Sequence, residues 1–359
     1  MGYPPYFQLK RQESSPLDGE AILNQHLEMV DNEIKALFGK RKFPERLYDM
    51  MKYHLGWLNE ELKPIDQYRG KRFRPTLCLL TYNALSGVYD KALPAAAAIE
   101  LIHNFSLIHD DIEDMDEERR HKPTVWKLWG IPHAINVGDG MHVMANLAAL
   151  RLKDRNVTSS KIVDVLEILN NTIIELCEGQ YLDMEFEKRK DVTLDMYMDM
   201  ISRKTAALIE ASTHIGAILA TNNSEIIKHF RVFGRKIGIA FQIVDDILGI
   251  WQKAEKTGKP HASDIRNRKK TLPILYAFEK AERDDRARLT EIYSKENLEE
   301  QDIAEVLRIL ERVDAQKYSQ KIADKYEKEA LQELDKTNIE NDVMEKLKTL
   351  THFLVYRTY

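Results

Sequence analysis

Apolar residues recur every three to four positions through most of the chain from Glu20 onward, the period of an amphipathic helix. The pattern breaks near Gly39, Pro64 and residues 87–94, 130–132, 156–160, 221–224, 257–263 and 296–302, where Gly, Pro, Asn and Ser gather. No period-two alternation lasts long enough to make a sheet, and no unit of roughly 20–50 residues repeats. The pattern predicts one all-α domain over residues 19–359 behind a loose arm over residues 1–18, where Pro and Ser interrupt the period. Two segments, 94–114 and 236–251, are apolar nearly all round, which marks buried central helices. From about residue 286 onward the helices are strongly charged, as outer helices with one solvated face would be.

Composition narrows the picture. With 359 residues, 43% of them apolar, the chain can bury a large core, and only 15 Gly and 11 Pro argue against many short strands. The formal net charge of −5 speaks against nucleic acid as the main partner. Cys78 and Cys177 sit in apolar helical patterns with no CxxC pairing and read as core thiols of a reducing compartment. No secretory leader, lipidation box or apolar stretch of about 20 residues is visible, so the expectation is a cytoplasmic protein without a membrane anchor.

Both central segments end in acids, which is the least favourable place for them. Asp110 and Asp114, at i and i+4, face one side of a helix and repel each other, and the partially negative helix end repels both. Seven acids fall between Asp110 and Glu118, and Asp245–Asp246 repeats the problem on the second segment. Divalent cations would resolve the conflict. Hard oxygen donors without Cys or His favour Mg²⁺, which keeps water and substrate phosphate in its shell. Two such clusters across a cavity suggest a polyphosphate held by several ions. Basic residues fit the same ligand: Lys71, Arg72 and Arg74 at a helix start, Arg119 and Arg120 after the first cluster, Lys204 in an apolar run, and Lys259 in a TGKP loop.

In order along the chain stand GKRFRP, ELIHNFSLIHDDIED followed by the arginine pair, GDGM, EGQYLDMEFE, SRKTAAL, FQIVDDILG and TGKP with SDIRNRKKTLP. This series resembles the trans-isoprenyl diphosphate synthases (polyprenyl synthetases), most of all the geranylgeranyl diphosphate synthases. The resemblance implies an all-α isoprenoid synthase fold around a deep central cavity, isoprenyl diphosphates as substrates, about three Mg²⁺ per active site, and a homodimer. By the same resemblance Asp110, Asp111, Asp114, Asp245 and Asp246 are metal-binding, and Arg119, Lys204 and Lys259 hold the allylic diphosphate. Lys71, Arg74, His103 and Arg120 hold isopentenyl diphosphate. Thr205 and Gln242 lie near the developing carbocation, and Gln180 is a further cavity position. Catalysis would rest on Asp110, Asp114, Asp245, Lys204, Thr205 and Gln242.

One departure stands out: the second motif reads DDILG, with Gly249 where an acid is usual. That opening also suits a class I terpene cyclase, but Lys253 stands where a cyclase has Glu. A silent subunit of a heteromeric synthase is the third reading. Phe105 and Ser106, five and four positions before Asp110, are expected to floor the product channel. One aromatic there resembles C20 synthases, with farnesyl (C15) and then C25 or longer products as alternatives. Arg357, near the end, resembles the basic tails that help close the site in some relatives, against the plainer reading of a frayed terminus.

Overall fold

The computed structural model describes residues 16–39, 43–65, 70–252, 262–295 and 297–356. Helices dominate: α1 Pro16–Phe38, α2 Glu45–His54, α3 Phe73–Ser86, α4 Leu93–Glu113, α5 Val125–Trp129, α6 Ile131–Leu150, α7 Ser159–Lys188, α8 Leu194–Ile201, α9 Ala207–Ala220 and α10 Ser224–Trp251. They are followed by α11 Ser263–Arg266, α12 Leu272–Lys280, α13 Arg283–Tyr293, α14 Glu300–Arg312, α15 Ala315–Asp335 and α16 Asp342–Val355. A π-helical turn, Ser202–Ala206, joins α8 to α9. The all-α expectation holds but for one ribbon among the described residues, Glu118–Arg119 paired antiparallel with Lys122–Pro123. Two residues per strand are too few to leave an alternating pattern.

The first central segment is α4. Ala95, Ala96, Ala97 and Ala98 are wholly buried, as are Ala145 and Ala149 of α6, and these small side chains let the two axes approach. The second segment is the C-terminal half of α10, whose N-cap Asn223 accepts from the amides of Glu225 and Ile226. Periodicity did not single out α3 and α9. Both are buried along nearly their whole length and pack on each other, with one apolar cluster on the α4–α6 side and a second on the α10, α15 and α16 side. The acidic and basic motifs GKRFRP, LIHDDIED, SRKTAAL and FQIVDDILG lie at the ends of these central helices.

Candidate active site

Asp110, Asp111 and Asp114 occupy the last turn of α4 and its C-cap, the amide of Asp114 donating to the carbonyl of Asp110 at 2.8 Å. Asp111 is 1% exposed and accepts from Nε of Arg119 at 2.5 Å, while its Oδ2 is buried without a hydrogen-bond partner. Burial pushes its carboxyl up to about 6 even though Arg119 opposes the shift. Burial likewise raises Asp110, helped by Asp114 and Glu113 and opposed by Lys204 and Arg119. The cluster is therefore under electrostatic load, and cations on two other elements answer it.

Lys204 comes from the π turn, an irregularity often found at functional sites. Gly179 of α7 makes its approach feasible, because a Cβ at 179 would lie 2.3 Å from the Lys204 amide nitrogen. One turn further along α7, Asp183 accepts from Lys204 Nζ at 2.6 Å. Burial works against the ammonium charge, but Asp183 and Asp110 outweigh it and hold Lys204 above the ordinary lysine range. Gln180 donates to Glu113 at 2.7 Å, pinning α7 to the end of α4.

The second cluster is arranged differently from the first. Asp246 is buried with both oxygens engaged: Tyr197 donates to Oδ2 at 2.6 Å, Gln242 donates to Oδ1 at 2.9 Å, and the Leu272 amide also approaches Oδ2 at 3.4 Å. Burial and the nearby Asp264 push its carboxyl up to about 7. Thr205 Oγ1 donates to Gln242 Oε1 at 2.6 Å, so Thr205, Gln242 and Asp246 form one chain of hydrogen bonds. Asp245, half-buried, lies on the neighbouring face of α10. Gly249 has a local reason: a Cβ there would lie 2.2 Å from Oδ2 of Asp264. The space beside Gly249 is filled by the carboxylate of α11.

Lys269 links the two clusters. Its ammonium is 3.8 Å from Asp114. Burial disfavours its charge, but Asp183, Asp114, Asp264 and Glu187 together hold it well above the usual lysine range. In the sequence SDIRNRKKTLP the three adjacent cations Arg268, Lys269 and Lys270 look alike. The structure separates them: Lys270 donates to the carbonyls of Phe186 and Glu187, capping α7, Arg268 donates to the carbonyl of Lys295, and Lys269 points among the acids. Asp183 and Asp264 were missed as well. Their only signal was membership in quoted motifs.

A second cationic group lies at the start of α3. Arg72 is buried in the left-handed conformation, with Nε on Asp31 at 3.1 Å, Nη1 on Glu100 at 2.6 Å and Nη2 on the Leu55 carbonyl at 3.2 Å. This anchor fixes Lys71 and Arg74 on either side. Arg74 Nη1 donates to Nε2 of His103 at 3.2 Å. Burial, then Arg74, Arg120, Arg119 and His54, push the His103 pKa well down, so its imidazole is neutral. Arg120 and His121 have positive φ and form the two-residue turn of the ribbon. That turn lays the Arg120 guanidinium against Gly70, where a Cβ would be 2.8 Å away. Lys71 Nζ lies 3.5 Å from Glu20 and over the ring of Phe353. Lys259 and Arg357 lie outside the described residues.

Among the described residues no three His, Cys, Asp or Glu side chains form a closed metal cage. The donor set suits Mg²⁺ bound by one or two carboxylates and substrate oxygens, and the unpartnered Oδ2 of Asp111 is consistent with that. Five positions before Asp110, Phe105 is 6% exposed, stacked on His142 of α6 with ring centroids 4.9 Å apart and edge-on to His109 at 5.9 Å. Ser106 donates to the carbonyl of His103 at 2.9 Å.

Residues 56–310 match the family model for polyprenyl synthetase. The chain is 42% identical to the short chain isoprenyl diphosphate synthase of Methanocaldococcus jannaschii, over 79% of this chain and 81% of that one. It is 36% identical to a (2E,6E)-farnesyl diphosphate synthase of Mycobacterium tuberculosis, over 88% and 89%. Its fold superposes on the geranylgeranyl pyrophosphate synthetase of Pyrococcus horikoshii with a TM-score of 0.84 at 38% identity, covering 95% of this chain and 99% of that one. The chain belongs to the polyprenyl synthetase family and is a trans-isoprenyl diphosphate synthase, a prenyltransferase with the isoprenoid synthase fold.

Proposed function

We propose that this protein joins isopentenyl diphosphate head to tail (1'-4) to an allylic diphosphate and delivers chiefly geranylgeranyl diphosphate (C20). This reading is supported by two groups of cationic side chains that meet at the ribbon, where Arg119 and Arg120 are adjacent. Lys204, Lys269 and Arg119 lie among the acids of α4, α7 and α11, and Arg74, His103 and Arg120 lie at the start of α3. The single aromatic at Phe105 favours C20, and the farnesyl synthase relative keeps C15 as the second reading.

In this account Asp110, Asp111, Asp114 and Asp245 would hold about three Mg²⁺ with the allylic diphosphate, Asp111 through its unpartnered Oδ2 while its other oxygen braces Arg119, and Asp246, with both oxygens engaged, would brace Gln242. Bound Mg²⁺ supplies Lewis-acid neutralisation of the leaving diphosphate. Arg119, Lys204 and Lys269 add fixed positive charge in a partly dry site, where it acts most strongly. As the C1–O bond breaks, Thr205 and Gln242 present dipoles to the allylic cation. Arg74, His103 and Arg120 hold the isopentenyl double bond beside C1, the new C–C bond forms, and a proton passes to the departed pyrophosphate.

A homodimer in the cytoplasm completes the proposal. Ile135 and Val143 of α6 and Val163, Ile174 and Tyr181 of α7 are large apolar side chains left exposed, which a second copy would cover. Asp245→Ala should lower turnover by about 10²-fold or more at saturating Mg²⁺, the scale of losing an electrostatic element of the transition state. Turnover within a few-fold of wild type would remove Asp245 from the site.

A further inference from the structure

His54 closes α2 and has no part in the roles described above. Its surroundings are fixed on both sides. The neighbouring Tyr53 hydroxyl donates to the Pro123 carbonyl at 2.7 Å, tying α2 to the ribbon that carries Arg119 and Arg120. The following Leu55 carbonyl accepts from Arg72 at 3.2 Å, tying the same turn to the start of α3. His54 is thus held between the two elements that supply the isopentenyl-side cations. Its Nε2 is shut from solvent and has no hydrogen-bond partner among the described residues. Shielded polar atoms normally find partners, so an orphan beside an anion site points to a ligand atom.

We infer that His54 is a further ligand of the diphosphate of isopentenyl diphosphate, donating an Nε2–H hydrogen bond beside Arg120, Arg74 and His103. The inference rests on the functional reading above. Burial, and then Arg120, Arg119 and Arg72, push the His54 pKa well down. The ring is therefore neutral and contributes one donor without adding charge to an already cationic group. It would add one directional bond to the point charges, tightening the hold on the diphosphate at one place and so fixing where the double bond meets C1.

The test is steady-state kinetics on purified full-length protein with Mg²⁺, varying each substrate in turn. His54→Leu should raise KM for isopentenyl diphosphate about tenfold, the effect of about 1.4 kcal/mol. KM for the allylic substrate should stay within about twofold. His54→Gln keeps an N–H donor and should recover most of the loss. Equal behaviour of Leu and Gln variants, or parallel changes in both KM values, would overturn the inference. Should both variants fold poorly, histidine ¹⁵N spectra of the wild type decide. Isopentenyl diphosphate added alone should shift the His54 Nε2 resonance, and an unmoved resonance refutes the contact. A wild type that turns over isopentenyl diphosphate while His54→Leu keeps its KM sinks this inference only. A wild type that never consumes isopentenyl diphosphate sinks the functional reading with it.

Discussion

Phe105→Ala is the substitution that most directly probes product length. The growing chain would start at the acids of α4 and extend toward the N-terminus of that helix. Five residues of helix separate Asp110 from Phe105, about 7.5 Å along the axis. An extended isoprene unit advances by four backbone bonds of about 1.5 Å, roughly 5 Å once zigzag is allowed for. Removing the ring takes away the surface stacked on His142 at 4.9 Å and opens room for at least one further unit. Losing a buried ring costs about 3–5 kcal/mol of stability, so melting must be checked first and assays run well below the transition. The assay is mass analysis of products from labelled isopentenyl diphosphate and an allylic primer. The main product should lengthen by one or more five-carbon units, and Phe105→Ala with His142→Ala should lengthen it further. An unchanged product distribution in a folded Phe105→Ala protein would refute Phe105 as the floor.

Three further substitutions test the structural reasoning. Gly249→Asp, which restores the usual motif, should impair the enzyme rather than improve it, because the new side chain meets Asp264 at 2.2 Å from its Cβ; improved turnover at low Mg²⁺ would contradict the packing argument. Asp246 has its pKa raised from 3.8 to about 7 in the fold, so the native state binds its proton more tightly and loses stability as pH rises through that window. In EDTA the wild-type melting temperature should fall between pH 4 and 7 more steeply than that of Asp246→Asn, by an energy of order 4 kcal/mol at most; equal slopes would show that Asp246 is not the titrating group. Arg72→Met leaves Asp31 and Glu100 buried without their cation and should cost about 3–5 kcal/mol in urea unfolding, with a loss below about 1 kcal/mol contradicting the anchor role.

The helices and the first acid cluster were legible because their signals are local. An i, i+4 pair of aspartates at the end of an apolar helix is visible in any single sequence. The second cluster was legible as a pair of acids, but the division of roles within it was not. Asp245 and Asp246 are adjacent in the chain yet point to different surroundings, one half-buried and one bonded to Tyr197 and Gln242, and only the packing of α8 and α12 decides which is which. Gly249 reads as a missing ligand until α11 brings Asp264 beside it. Lys269 and Lys270 look alike in sequence, and their opposite tasks follow from the end of α7 lying below one and the acids below the other. His54 carried no motif, and its interest comes from two long-range hydrogen bonds made by its neighbours.

The central claim is that magnesium-loaded carboxylates of α4 and α10 release an allylic diphosphate for attack by isopentenyl diphosphate. It is tested most directly by incubating the purified protein with an allylic diphosphate and labelled isopentenyl diphosphate, with Mg²⁺ and then with excess EDTA, and identifying the product. The account predicts an elongated linear diphosphate, chiefly C20, that vanishes with EDTA. A cyclic hydrocarbon, no product at all, or elongation that survives chelation would contradict it.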